Sequence, residues 1–598
     1  MARQEWERQL LAAISADEMG THLERICSWD RLSGGPGEAA AVDYVVDVLR
    51  GYGVPVEVHA FEAYLSNPVL GRVELLGSDR PIKAKTRAFS ASTGEEGVVG
   101  ELVYIPGGSD MFRDLDTKER IQALDLRGKV VLSEGGGRAN MIAAQAGGAV
   151  GYIHMWPSDE DYVHEGTVSP VWGSPTPESF ALLPRIPVVQ VTAREGGFLR
   201  EHVGSKVRLT TRTENGFRTL RLPVAEIRGA GDDFVLIGGH IDSWHLGATD
   251  NGTGNAACLE LARVLHRFRD RLRRSVRIAW WPGHSNGRYA GSTWYCDRFW
   301  QDLHDHCVAY INVDSPGALG ATDYSVITAA AETAALGVQV VQELTGQRAR
   351  PERPFRAGDQ SFWGPGVSSL YMLLSNRPEG RRAAVGGSGM GWWWHTEEDT
   401  LDKVDRDVLL CDTRIYALAA FRLATADVLP LQPDALAAEM LDELASLHQR
   451  AAGHLDLFPA ITRLTELREA LSRVGSPQPV PEADSCAAAA GTARDDAGRA
   501  VRARPDPDTL NRMILQVIRA LTPVNYTVSG PYDHDPAIPA RPVPGLADAP
   551  RLAALPPDSD EYRFLRTRLI RQRNRVVAAA DRALEAVRST LGGAACGA

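Results

Sequence analysis

Two histidines and several carboxylates stand at spacings that suit metal chemistry. His240 precedes Asp242 by two residues, and Asp250 opens Asp250-Asn251-Gly252. Asp314 ends Asn312-Val313-Asp314, and His395 begins His395-Thr396-Glu397-Glu398-Asp399. Neutral imidazoles and ionised carboxylates are the ligands of a divalent ion that activates water against an amide carbonyl, and each ligand needs a neighbour to hold it. Asp242 suits the partner of His240. Asp250, in a glycine loop opening a helix, suits a carboxylate shared by two ions. A different chemistry lies in Gly283-His284-Ser285-Asn286-Gly287. This is the Gly-x-Ser-x-Gly form of a nucleophile elbow, with Asp359 and His395 following in the order of a serine hydrolase. That alternative gives His240, Asp250 and Asp314 no task.

The elements that must carry these residues follow from periodicity. Apolar runs at 234–239, 276–281, 308–313 and 368–373 predict strands. Helical patterns at 253–266, 329–344 and 409–428 lie between or after them. Strands alternating with helices predict an α/β fold with a mostly parallel sheet flanked by helices, whose chemistry sits at strand C-termini. Before it, Glu38 opens an amphipathic helix and 54–61 alternates like a strand. Shorter strands are predicted at 98–105, 130–132, 150–155 and 186–191, with a small-residue helix at 140–146. After Pro430 the pattern is helical: Leu436, Met440, Leu444 and Leu447 form one stripe, and Ile461, Leu464, Leu467 and Leu471 another. Residues 476–508, rich in Ala, Pro, Asp and Arg, predict a flexible linker ahead of helices at 510–521 and 561–591.

At 598 residues the chain exceeds one core, and 44% hydrophobic with 24% charged residues is ordinary globular composition. A net charge of −11 argues against nucleic acid or an anionic membrane as partner. The first residues lack an apolar leader, no apolar run is long enough to span a bilayer, and seven scattered cysteines suit reduced thiols. A cytoplasmic location is the expectation.

The chain resembles the co-catalytic zinc peptidases, the family of bacterial aminopeptidases, glutamate carboxypeptidase II and the transferrin receptor. The resemblance rests on Gly238-Gly239-His240-Ile241-Asp242-Ser243, Asp250-Asn251-Gly252-Thr253-Gly254, Asn312-Val313-Asp314, Gly358-Asp359-Gln360-Ser361-Phe362 and the stretch His395 to Val404. Leu126 to Leu132 and Gly147 to Ile153 resemble a protease-associated insertion. The resemblance implies a discontinuous catalytic domain (1–92 and 220–430), a β-rich insertion (93–219) and a C-terminal helical domain (431–598), whose helix pairs are expected to pack on the body or to form a homodimer interface. It further implies one or two zinc ions, with His240 and Asp314 on one, His395 on the other, Asp250 bridging, and Asp242 orienting His240.

The chain departs from the family at one place. Where the family carries adjacent glutamates, a general base and a metal ligand, this sequence has His284-Ser285. His284 can replace the ligand or act as the base, but not both, since a metal-bound nitrogen has no lone pair for a proton. If it is the ligand, Glu397 or Glu398 can serve as base. The expected function is metal-dependent hydrolysis of an amide bond in a small peptide or an acylated amino compound. The alternatives are a non-catalytic binding protein on the same fold and a serine hydrolase using Ser285. Trp392, Trp393 and Trp394 are expected to wall an apolar substrate pocket, Arg377, Arg381 and Arg382 to meet a substrate carboxylate, and the turn at Trp172 to act as a lid.

Overall fold

A computed structural model of the chain describes residues 2–107, 121, 124–134, 137–383, 387, 389, 391–474, 493–494, 500–501 and 505–592. Its strands are β1 (Val56–Leu75), β2 (Ala84–Thr86), β3 (Val98–Ile105), β4 (Lys129–Glu134), β5 (Gly151–Met155), β6 (Val188–Val191), β7 (Lys206–Ile227), β8 (Phe234–His240), β9 (Ser275–Trp281), β10 (Cys307–Asn312), β11 (Val326–Thr328), β12 (Arg350–Glu352) and β13 (Ser369–Leu370). Eleven of them make one sheet in the order β13-β10-β8-β9-β7-β3-β4-β5-β6-β2, with β1 antiparallel on β7. The four strands β13, β10, β8 and β9 are parallel. The mostly parallel α/β sheet expected from the sequence is present.

Every residue of β8 is buried, as a strand covered on both faces must be. Val235, Ile237, Val276, Ile278 and Ile311 pack with the helices Ala16–Ile26, Thr253–Arg267 and Arg406–Thr425. On the opposite face Phe234, Leu236, Ala279, Trp281 and Tyr310 pack with Ala290, Tyr295 and Cys296 of helix Ala290–Arg298. The period of two in these strands therefore separates two cores.

The second half of the sheet is the insertion, β3 to β6 parallel and β2 antiparallel at its edge. Its strand pairing reaches beyond residues 93 and 219. β2, at 84–86, already pairs with β6, and β7 runs unbroken across 219. The β1–β7 ribbon belongs to both halves, so one continuous hydrogen-bonded sheet fixes the insertion against the α/β body.

Four helices, Pro433–Arg450, Phe458–Arg473, Pro507–Tyr526 and Asp560–Gly592, pack through Leu436, Met440, Leu444, Leu464, Leu467, Leu521, Leu569, Val576 and Leu584. Most of the expected 476–508 linker lies outside the described residues, and helix Pro507–Tyr526 begins inside its last positions. No described helix is long and apolar enough to cross a membrane. Cys27, Cys258, Cys296, Cys307 and Cys411 are free thiols, while Cys486 and Cys596 lie outside the described residues.

Glu332 is buried where the α/β body meets the C-terminal helices, its backbone carbonyl accepting from Gln432 N–H at 2.9 Å. Burial pushes the pKa of its carboxyl up to about 7, outweighing the Ser368 hydroxyl beside it. The folded chain then holds a proton that the unfolded chain has released between the ordinary glutamate pKa and about 7, so this group makes stability fall as pH rises through that window. Glu332→Gln is expected to gain stability over wild type between pH 5 and 7, by at most about 1.4 kcal/mol per pH unit. Equal denaturant midpoints at both pH values would show that the carboxyl is not held protonated.

Candidate metal centre

The chemistry-bearing side chains lie at the C-terminal ends of the parallel strands. His240 is the last residue of β8. Its Nδ1–H donates to the main-chain carbonyl of Asp242 at 2.9 Å, which leaves Nε2 facing Asp250 Oδ1 at 2.9 Å and Asp314 Oδ1 at 3.6 Å. His395 mirrors it from the far side: its Nδ1–H donates to the Glu165 carbonyl at 3.0 Å, and Nε2 faces Asp250 Oδ2 at 3.0 Å. Each oxygen of one carboxylate thus meets a different imidazole, the placement required of a group shared between two cation positions.

Buried hydrogen bonds fix the loop that carries that carboxylate. Asp399 accepts from the Thr249 and Asp250 backbone N–H groups at 2.8 and 3.0 Å. Asn251 Nδ2 donates to the Val313 carbonyl while Asn251 Oδ1 accepts from Ser315 N–H, which ties the Asp250 loop to the end of β10. Arg31 is fully buried and donates to the carbonyls of Ile241, Leu246 and Gly247, holding the loop between His240 and Asp250. His395 (φ 61°) and Asp359 (φ 51°) both sit in the left-handed region, which side-chain-bearing residues seldom adopt.

Electrostatics match a cation site. Burial disfavours a charged His240, but the Asp250, Asp242 and Asp314 carboxylates outweigh it and hold its pKa well above the usual value. Burial likewise works against an ionised Asp250, and the two histidines outweigh it, holding its pKa well below the usual range. A divalent ion replaces such a proton between the same donors.

His284 lies just beyond β9. One ring nitrogen each from His240 and His284 and an oxygen of Asp314 fall within 4.8 Å of one another. The two imidazoles are stacked, with centroids 3.9 Å apart and planes 14° apart. Ring-nitrogen lone pairs lie in the ring plane, so two parallel stacked rings cannot both aim at one ion. His284 Nδ1–H donates to Asp359 Oδ2 at 2.7 Å, which points the other nitrogen away from Asp359.

Several sequence-based assignments change. The Asp242 carboxylate stands 3.5 Å from His240 Nδ1 and also accepts the backbone N–H groups of His284 and Ser285 at 3.2 and 2.8 Å. It thus faces His240 beside its own main-chain carbonyl and also shapes the His284 turn. The Ser285–Asp359–His395 triad is not assembled, because both His395 nitrogens are engaged by Glu165 and Asp250, and Asp359 is bound to His284. Trp393 is 2% exposed, so it walls no pocket, and its Nε1–H donates to Thr249 Oγ1 at 3.0 Å. Trp392 stacks on Tyr162 and Trp394 on His395 and Trp156, which seats the His395 loop against the insertion. The Arg377 guanidinium lies 5.4 Å over the Trp393 ring, and Arg382 pairs with Asp323. Glu397 pairs with Lys85. Trp172 is buried and donates to Ser361 Oγ.

Arg288 lies beside this site with no motif in the sequence to announce it. It follows His284 by four residues, is 5% exposed, and has buried Nε and Nη2 groups without a hydrogen-bond partner. Its Cζ lies 4.5 Å over the Tyr289 ring, which meets His284 edge-on at 4.9 Å. Arg138, 7% exposed, comes from the insertion with its Nε–H on the Ala537 carbonyl at 3.0 Å. Burial, then the nearby Arg288 charge, holds its pKa well below the usual value. Nothing in the spacing of two lone arginines announced this pair.

Comparison with known proteins agrees with the geometry. Residues 224–418 match the family described as "Peptidase family M28". The "Probable lipoprotein aminopeptidase LpqL" of Mycobacterium tuberculosis is 31% identical over 314 residues, covering 50% of this chain and 59% of that protein. The "Probable glutamate carboxypeptidase VP8" of Zea mays is 25% identical over 365 residues, covering 51% and 50%. The chain thus spans between half and three-fifths of the length of these curated relatives. Among solved structures, an aminopeptidase from Aneurinibacillus sp. strain AM-1 aligns with a TM-score of 0.53 at 22% identity, over 70% of this chain and 96% of that one. A zinc aminopeptidase from Bacillus subtilis aligns with a TM-score of 0.53 at 17% identity, over 69% and 96%. These two establish a shared fold.

Proposed function

We propose, from the premise that residues 224–418 are a peptidase family M28 domain, that this chain is a zinc-dependent hydrolase of amide bonds in small peptides or acylated amino compounds. The observation that carries it is Asp250, whose two oxygens face His240 and His395 at 2.9 and 3.0 Å. His240, Asp250 and Asp314 would hold one cation, and Asp250 with His395 a second position. When bound, the cation would polarise the scissile carbonyl and acidify the attacking water.

The remaining steps belong to the protein. His284, held by Asp359 through Nδ1–H, presents Nε2 as the proton acceptor for the attacking water. The same nitrogen returns the proton to the departing amine. His284 in this proposal is the base and not a ligand, because its ring is stacked on His240. Arg288 brings buried Nε and Nη2 groups that have no hydrogen-bond partner among the described residues, Arg138 is buried nearby, and burial of these cations favours a substrate that brings a carboxylate.

A second reading, a binding protein that hydrolyses nothing, is favoured by the loss of both family glutamates at His284-Ser285. One experiment separates the two. The full chain is stripped with a chelator, reloaded with zinc, and given dipeptides and N-acyl amino acids in matched pairs, glutamate against glutamine and aspartate against asparagine. Zinc-restored turnover with at least a roughly tenfold preference for the acids is expected. Zinc retention with no turnover on any pair would leave only the binding protein.

A further inference from the structure

The two cation positions differ in what holds their ligands. His240, Asp250 and Asp314 are fixed from within the α/β body. The Asp242 carbonyl accepts from His240 Nδ1–H, Asp399 accepts from the Asp250 backbone N–H, and Asn251 bridges the Val313 carbonyl and Ser315 N–H. His395 is held by the insertion. Its Nδ1–H donates to the Glu165 main-chain carbonyl at 3.0 Å, and its own main-chain carbonyl accepts from Glu165 N–H at 2.8 Å. One residue earlier on both segments, His164 Nδ1–H donates to the Trp394 carbonyl at 2.5 Å. Residues 164 and 165 thus clamp residues 394 and 395 through three hydrogen bonds.

The clamp is anchored deep in the insertion. Gln190 Nε2 donates to the His164 carbonyl at 2.6 Å, and Gln190 Oε1 accepts from Arg87 Nη1 at 2.6 Å. Ala88 N–H donates to the Gly166 carbonyl at 2.9 Å, and the Ala88 carbonyl accepts from Val168 N–H at 3.0 Å. His164, Gln190 and Arg87 are all more than nine-tenths buried. Rings stack alongside: His164 lies on Trp156 with centroids 4.3 Å apart, and Trp156 stacks on Trp394 at 5.9 Å. Buried polar groups with their partners in place resist displacement, so the segment that carries Glu165 is a firm support for His395.

We propose that the insertion is a working part of the second cation position. Through His164 and Glu165 it keeps His395 facing Asp250, so the position formed by Asp250 and His395 holds zinc tightly only while this clamp is closed. The position formed by His240, Asp250 and Asp314 does not depend on it. His164 is a positioning residue, acting on the ligand through the Trp394 carbonyl. The inference rests on the two cation positions assigned above. Linkage makes the dependence reciprocal: zinc bound beside His395 must in turn stabilise residues 164 and 165.

Two measurements test this, and neither reads turnover. His164→Phe keeps an aromatic ring against Trp156 and removes the donor to Trp394. His164→Asn removes the ring and keeps an N–H donor close to the place of Nδ1. Stripped full chain is titrated with zinc, with mass spectrometry for stoichiometry. Wild type and His164→Asn are expected to take two equivalents with similar affinities. In His164→Phe one equivalent is expected to weaken on the order of 10- to 100-fold while the other is unchanged. A packing role for His164 predicts the reverse order, His164→Asn damaged and His164→Phe like wild type, and that result overturns the proposal. So does a loss of both equivalents together in His164→Phe. The second measurement needs no variant to fold. Hydrogen exchange on wild type is expected to show amides 163–168 gaining protection with the second zinc equivalent and not with the first. Unchanged protection at two equivalents would show that the insertion does not hold this position. Fewer than two equivalents in wild type would sink the two-position assignment itself, and the clamp with it.

Discussion

His284→Ala is expected to lower kcat by roughly 10² to 10⁴-fold while leaving bound metal unchanged. The magnitude is that of a positioned general base, and the direction follows from the geometry. Stacked on His240 with planes 14° apart, the His284 ring cannot share an ion with it, whereas its Nδ1 bond to Asp359 prepares the opposite nitrogen to accept a proton. A ligand would behave otherwise. Removing it would cost close to one equivalent of metal and would weaken the zinc-dependent rise in melting temperature. Elemental analysis beside steady-state kinetics therefore decides between base and ligand, and loss of a metal equivalent in His284→Ala would refute the base assignment. His284→Glu, which restores the residue type found in the family, is expected to recover part of the lost turnover, because the carboxylate would replace the imidazole at the same turn.

Asp250→Asn is expected to remove hydrolysis altogether and to lower metal affinity by at least roughly 10²-fold. The change is isosteric, so the loop keeps its backbone bonds to Asp399. What it loses is the charge that faces both His240 and His395. His395→Ala is expected to have the smaller effect on metal content, since among the described residues only Asp250 accompanies His395, whereas His240 faces both Asp250 and Asp314. Titration of stripped protein with zinc, followed by mass spectrometry for stoichiometry, checks both. Wild-type affinity in Asp250→Asn would show that the carboxylate is not shared between the cation positions.

These expectations differ in how far the sequence carried them. The strand that ends in His240 was legible because seven consecutive buried residues leave an uninterrupted apolar run, and the helix after Asp250 because its apolar positions repeat at helical spacing. The tryptophans before His395 were misjudged for the same local reason. A run of three aromatics has no period to reveal which face is buried, and the structure turns Trp393 into the core and Trp392 and Trp394 onto the insertion. The long β1–β7 ribbon shared by the two halves was not legible, since it changes neither composition nor periodicity where it crosses between them.

By itself the sequence determined that His240, Asp250, Asp314 and His395 belong to one constellation, since residue type and strand-end position are local properties that a motif can hold. Only the tertiary structure showed what surrounds His284. Its stacking on His240 and its bond to Asp359 seventy-five positions away are contacts between distant segments. Hydrogen-bond direction and ring orientation are set by the neighbours that folding delivers, and no spacing along the chain encodes them.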